Sequence, residues 1–312
     1  IGSGSFSYVY STDDPRYVVK IINPSDQKSF ISYQNEKYAF QNIPRHDNIV
    51  YCPAYKDNVN LKGENYCCLI LENCSRESII SMLVDKRMTF NESQIYQIIL
   101  DIILGLHQMH TLPKPIAHRD LKGENVLLGE DGKFKLTDFG SITTRMIKEI
   151  NSNNRVEIES DIEKNTTPTI RAPEQCDLYS NLPITEKVDI WALGCLLYIL
   201  CFQKQPFETK LSIINGQYFI PKDKRYNKEL MDLIPLLLKH DPKERPNTAE
   251  LIGYFEMHLN SIPTHLFNSI KHMNVHGHRQ YTEESSFGHN HDISFNQDGQ
   301  IKKAVSNVES KP

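Results

Sequence analysis

The chain has 312 residues, with 39% hydrophobic and 24% charged residues and a formal net charge of −4, which is enough for one two-lobed domain or two small ones. That balance gives no electrostatic reason to expect a nucleic-acid partner. The seven cysteines are odd in number and irregularly spaced, with no zinc-ligand pairing, and so speak for a reduced, intracellular compartment rather than a disulfide framework.

The sequence opens within Gly2-Ser3-Gly4-Ser5-Phe6-Ser7-Tyr8-Val9, where glycine lets backbone N–H groups approach a phosphate with no Cβ in the way. Because the sequence begins at Ile1, directly against that run, further sequence upstream is expected. Short β-type runs at Tyr17–Ile22 and 66–71 surround a helical stretch at 28–43, which predicts a small sheet-rich lobe over 1–74. Glu36 lies one turn from Ala39 and Phe40 and two from Ile43, so a helix packed on the sheet would aim its carboxylate at Lys20.

From Asn91 the apolar period becomes helical, with Ile95, Ile98, Ile99, Ile102, Ile103, Leu106 and Met109 on one stripe and Asn91 with Gln94 as a capping box. This predicts the long core helix of a second lobe over 75–260. It leads into His118-Arg119-Asp120-Leu121-Lys122-Gly123-Glu124-Asn125, and Asp138-Phe139-Gly140 begins thirteen residues past the asparagine. The polar stretch 148–164 reads as too hydrophilic for core and is expected to be a mobile segment. The apolar window 188–202 is too short, and with Asp189 too polar, to span a bilayer. It predicts a helix buried on all sides, with Thr185 as N-cap. After Pro263 the composition turns to His, Asn, Ser and Gly, so 261–312 is expected to be a flexible tail and its histidines are not read as a metal site.

The ordered set of residues fits phosphoryl transfer. Asp120 is a carboxylate that can take a hydroxyl proton. Asn125 and Asp138 are hard oxygen ligands suited to Mg2+, which keeps some water and binds few protein oxygens. Lys20, held by Glu36, would contact the α- and β-phosphates of ATP.

With Val18-Val19-Lys20, Glu36, Arg171-Ala172-Pro173-Glu174, Asp189-Ile190-Trp191-Ala192-Leu193-Gly194 and Arg245, the chain resembles a eukaryotic protein kinase domain over about residues 1–260. Asp138-Phe139-Gly140-Ser141, Thr166-Thr167-Pro168-Thr169-Ile170-Arg171-Ala172-Pro173-Glu174 and the stretch 184–198 resemble more narrowly the Numb-associated kinases. That family includes the adaptor-associated, cyclin-G-associated and yeast actin-regulating kinases. The resemblance implies an α+β, two-lobed fold, with Lys122 reaching the γ-phosphate and Thr167 bracing the catalytic loop, both marks of Ser/Thr specificity. It places Ile1, Gly2, Ser3, Gly4, Ser5, Phe6, Val9 and Val18 around the nucleotide. Leu71 becomes the gatekeeper, Glu72, Asn73 and Cys74 the hinge, and Leu127 the floor.

Glu174 with Arg245, and Asp189, are read as structural. The implied substrate is a threonine on an endocytic or actin-regulating protein, such as a clathrin-adaptor medium subunit. The implied location is the cytoplasm, at endocytic vesicles or the cell cortex. Three departures stand out: Ser7 replaces the third glycine of the loop, Val18 replaces the common alanine and tightens the pocket, and Ile170 replaces a tyrosine. A Ser/Thr kinase of another subfamily and a catalytically silent pseudokinase scaffold remain the alternatives. The additional helix of the Numb-associated family would have to come from 175–182.

Overall fold

The computed structural model describes residues 2–4, 7–61, 63–74, 77–221 and 225–258, together with the backbone of two short strands at 293–295 and 301–304. The first lobe is a sheet because its apolar runs must bury both faces. Strands β1 (Gly2–Gly4), β2 (Ser7–Ser11), β3 (Tyr17–Ile22), β4 (Ala54–Leu61) and β5 (Glu64–Glu72) form one antiparallel sheet in the order β1-β2-β3-β5-β4. Val18, Ile22, Cys67, Leu69 and Leu71 pack in one cluster, while Val19, Ile21, Cys68 and Ile70 pack in another. Side chains alternate across a strand, so the register places Lys20 on the face of Val18 and Ile22.

Helix α1 (Gln27–Asn42) lies between β3 and β4 in sequence. Asp26 caps it by accepting from the Ser29 N–H at 2.7 Å. The helix stops where Pro44 forces Ile43 into an extended conformation (φ −88°, ψ 118°). Tyr33, Glu36 and Ala39 form its buried side.

The second lobe is helical. Its elements are α2 (Ile79–Val84), α3 (Glu92–His110), the β6 (Val126–Leu128) and β7 (Phe134–Leu136) pair, α4 (Arg155–Asn165) and α5 (Pro173–Cys176). They continue with α6 (Lys187–Phe202), α7 (Lys210–Ile214), α8 (Lys228–Leu237) and α9 (Thr248–Met257). The expected Asn91 and Gln94 capping box closes the start of α3, and the apolar stripe of that helix is buried throughout. Each such side chain contributes about 1.5–3 kcal/mol relative to exposure. Helix α6 is buried on all sides, as its composition predicts, and among the described residues no helix is long and apolar enough to cross a membrane. Beyond this lobe, β8 (Ile293–Phe295) and β9 (Ile301–Ala304) pair antiparallel. Ile1, Ser5, Phe6 and the rest of the 261–312 segment with its histidines lie outside the described residues.

Three expectations change. The polar stretch at 148–164 contains α4, and Ile158 and Ile162, 1% and 4% exposed, join the main core. Two isoleucines one turn apart are enough to anchor a short helix whose other faces are charged. Thr185 is not the N-cap of α6, since that place falls to Glu186, which makes no side-chain cap bond. The Thr185 hydroxyl instead accepts from the Lys187 N–H at 3.3 Å. Finally, the helical turn at Pro173–Cys176 does not continue through 177–182, so no additional helix forms there.

Candidate active site

Lys20 and Glu36 meet across the sheet-helix contact, Nζ to Oε1 at 2.6 Å, with the glutamate side chain 2% exposed. The Asp138 Oδ1 lies 3.5 Å from the same ammonium. Burial would lower the lysine pKa, but the Glu36 and Asp138 carboxylates raise it above its ordinary value, so the ammonium persists at working pH. The charge of Lys20 in turn holds Asp138 below the usual carboxylate range. Burial pushes Glu36 upward against the opposing pull of Lys20.

Asp138 takes a left-handed backbone (φ 60°) at the turn into Phe139–Ser141. That turn packs on α1. Phe139 sits edge-on to Phe40 at 5.4 Å between ring centroids and contacts the His118 ring. The Asn35 Nδ2 donates to the Gly140 carbonyl at 2.8 Å. A Cβ on Gly140 would come within 2.0 Å of the Ser32 Oγ and 3.2 Å of its Cβ, so the turn approaches α1 closely enough that any side chain there would displace the serine hydroxyl. This is how Asp138 and Glu36 reach one lysine.

The run 118–125 is a fixed loop. The Asp189 carboxylate on α6 accepts from the N–H groups of His118 (2.7 Å) and Arg119 (2.8 Å), and its Oδ2 lies 2.8 Å from the His110 Nε2 at the end of α3. Burial alone would raise the Asp189 pKa, but the bond from His110 and the neighbouring His118 hold it below the ordinary value. The loop then presents Asp120. Thr167 donates to the Asp120 Oδ1 at 2.6 Å, and the Lys122 Nζ donates to the Thr167 Oγ1 at 2.9 Å while lying 2.8 Å from the Asp120 Oδ2. Asn125 is buried and turns its Nδ2 to Asp120, with the backbone O at 2.8 Å and Oδ2 at 3.1 Å. Asp120, Lys122, Thr167 and Asn125 are thus one network.

The residues expected around a base also come together. Val18, Leu71 and Cys74 are buried in the same cluster, with Val9 and Leu127 packed against it. The hinge differs in detail from the simple expectation. Glu72 and Asn73 already donate their N–H groups to the carbonyls of Tyr51 (2.8 Å) and Arg16 (2.7 Å). The Glu72 carboxylate pairs with the Lys135 Nζ at 2.9 Å. Burial pushes the Cys74 thiol up to about 12, which makes it a packing residue rather than a reactive one. For the loop, β1 places the backbone of Gly2, Ser3 and Gly4 against β2.

The donor set suits magnesium with a nucleotide. The Asn125 amide nitrogen is engaged, so its oxygen is the end that could ligate a metal, and Asp138 is an anion at working pH. Among the described residues no group of three or more His, Cys, Asp and Glu could hold a metal. A site of two protein oxygens completed by phosphates and water is the arrangement Mg2+ accepts.

Sequence reasoning missed His110, Lys135 and Asp161. The first fixes Asp189. The second ties the hinge to β7 through Glu72, with Asp131 at 3.3 Å. Asp161 on α4 pairs with the Arg119 Nη1. A basic residue in the last turn of α3 was the only local signal for His110; the other two depend on contacts between distant segments.

Below this loop the activation segment is tied to the lobe by Glu174 and Arg245, both fully buried, through two bonds of 2.7 Å.

The protein kinase domain family matches residues 1–254. A probable serine/threonine-protein kinase of Dictyostelium discoideum is 36% identical over 87% of this chain and 25% of its own length. A second from the same organism is 37% identical over 81% of this chain and 33% of its own. Actin-regulating kinase 1 of Saccharomyces cerevisiae is 34% identical over 80% of this chain and 41% of its own. The chain thus spans between a quarter and two fifths of the length of these relatives. With a sheet lobe, a helical lobe and this network between them, the chain belongs to the protein kinase domain family, and two of the relatives named here are called probable serine/threonine-protein kinases.

Proposed function

We propose that the chain transfers the γ-phosphoryl group of ATP to a serine or threonine hydroxyl of a protein. The observation that carries this reading is the Asp120, Thr167 and Lys122 network facing the Lys20, Glu36 and Asp138 cluster. In the reaction the substrate oxygen attacks the γ-phosphorus, the bond to the β,γ-bridging oxygen breaks, ADP leaves, and the hydroxyl proton passes to Asp120. Lys122 offsets charge on the transferring group. Lys20, oriented by Glu36, binds the α- and β-phosphates. Asn125 and Asp138 would hold Mg2+, which when bound supplies positive charge to the phosphates. Val9, Val18, Leu71, Cys74 and Leu127 offer an apolar slot for the adenine, with Glu72, Asn73 and Cys74 at its edge.

A small apolar pocket beside Lys122 and Thr167, lined by Ile80, Leu83, Ile170, Leu196 and Ile199, could take at most one side chain of a substrate. The finer assignment is to the Numb-associated type, acting on a threonine of an endocytic or actin-regulating protein at the cell cortex or endocytic vesicles. It is supported by the motifs at 138–141 and 166–174 and by similarity to a relative named for actin regulation.

The test is Mg-ATP-dependent phosphorylation of a clathrin-adaptor medium-subunit peptide and of a generic basic Ser/Thr peptide, with Asp138→Asn as control. Transfer to the adaptor threonine, lost in the variant, is expected. Transfer to the generic peptide alone would remove the endocytic assignment and keep the enzyme. Nucleotide binding without transfer to either peptide would overturn the enzymatic reading. Asp120→Asn should lower kcat by about 10²–10⁴-fold with little change in nucleotide affinity.

A further inference from the structure

Arg119 precedes the proposed base, yet its side chain touches neither Asp120 nor Lys20. Its backbone is left-handed (φ 67°) and its side chain is only 9% exposed. The guanidinium reaches the segment that follows Gly140: Nε donates to the Ser141 carbonyl at 2.6 Å, Nη2 to the Ile142 carbonyl at 3.5 Å, and Nη1 to the Asp161 carboxylate. Two of these partners are neutral, and the third is a full charge supplied by α4.

That charge is held in place from its other side. The Asn165 Nδ2 donates to the Asp161 Oδ1 at 2.8 Å and to its backbone oxygen at 3.0 Å. Glu157, one turn earlier on α4, pairs with Arg145 of the same segment. Ile158 and Ile162 fasten the opposite side of the helix into the core. A largely buried arginine without a counter-charge is costly. Where kinase activation segments are ordered by phosphorylation, the added phosphate supplies that counter-charge by pairing with arginine. Here the genetic code supplies it.

We propose that Asp161 is a positioning residue. Its carboxylate is a permanent counter-ion for Arg119 that fixes the 141–165 segment against the catalytic loop, so transfer does not depend on phosphorylation of that segment. The proposal rests on the kinase reading above. Two threonines at the ends of the segment are already engaged. Thr166 is buried, donates to the Ile162 carbonyl at 2.6 Å and accepts from the Arg171 Nε at 2.8 Å. Thr143 accepts from the Arg145 N–H at 3.0 Å.

The experiment uses the full chain, stripped of phosphate by a phosphatase and verified by mass spectrometry, beside Asp161→Ala, Asp161→Asn and Asp161→Glu. Activity is measured with and without added formate, and amide hydrogen exchange is followed over 141–166. The stripped wild type should keep its kcat. Asp161→Ala and Asp161→Asn should lose about tenfold in kcat, the worth of one hydrogen bond to a charged group, with KM for ATP little changed. Asp161→Glu should recover much of the loss, and formate should restore part of it in Asp161→Ala, a response that a merely structural side chain would not give. Exchange over 141–166 should quicken in Asp161→Ala and Asp161→Asn. Loss of activity in the stripped wild type, or wild-type kcat and exchange in both of these variants, overturns the proposal. If untreated wild type transfers phosphate to no substrate, the kinase reading falls on its own, and the exchange comparison still decides whether Asp161 orders the segment.

Discussion

At the scale of single residues, the site is governed by how charges share partners. Glu36 is 2% exposed and its neutralisation depends on Lys20. Lys20→Met should abolish transfer and also destabilise the fold, toward the low end of about 3–5 kcal/mol because the lysine keeps some contact with water. The double variant Lys20→Met with Glu36→Leu should recover most of that stability and none of the activity, as read by urea midpoint and peptide phosphorylation. Gly140 gives a second case. Gly140→Ala drives a methyl into the Ser32 Oγ, which must turn away, and leaves the Ser32 Cβ only 3.2 Å off, so α1 gives slightly and Glu36 moves against Lys20. The expected result is a fall in kcat out of proportion to the change in melting temperature, partly reversed by adding Ser32→Ala. No reversal would place the strain elsewhere.

At the scale of elements, the contrast between α3 and α4 separates what could be read in advance from what could not. Helix α3 announces itself by a long apolar stripe and a reciprocal cap, both local properties. Helix α4 has only Ile158 and Ile162 facing the core amid charged neighbours, and nothing local distinguishes that pattern from a solvated loop. Its helicity comes from the tertiary pocket that receives the isoleucines. Ile162→Ala should therefore cost about 2–5 kcal/mol, measurable by denaturant unfolding, although the surrounding stretch is polar. The site follows the same division. Asp120, Asn125 and Asp138 were legible because a short loop and a turn set their spacing. His110, Lys135 and Asp161 were not, because the partners that matter, Asp189, Glu72 and Arg119, lie far away along the chain and a lone histidine, lysine or aspartate carries no spacing to recognise.

At the scale of the whole molecule, buried carboxylates stitch separate elements together, and they set the response to pH. Asp101 of α3 is 2% exposed and accepts from the Phe134 N–H of β7 at 2.9 Å, and burial pushes its pKa up to about 6 from an ordinary 3.8. A folded-state pKa raised above the unfolded one means that the fold holds the proton more tightly. Its stabilising contribution is therefore full below about pH 4 and is lost as pH rises through about 6. Burial lowers His46 and His107, and their contribution has the opposite sign, present above about pH 6.5 and lost on acidification. The Asp101 effect should thus emerge as a difference: between pH 7 and pH 5 the melting temperature of wild type should rise relative to Asp101→Asn, and parallel curves would refute it. The same stitching has a consequence for the order in which the protein is made. Asp189 fastens the backbone at His118 and Arg119, and Arg245 closes on Glu174, so the catalytic loop and the activation segment are each completed by residues translated long after them. A nascent chain that has released every proposed catalytic residue up to Asp138 still lacks its anchors. It should stay protease-sensitive and silent until the stretch around Arg245 has cleared the ribosome.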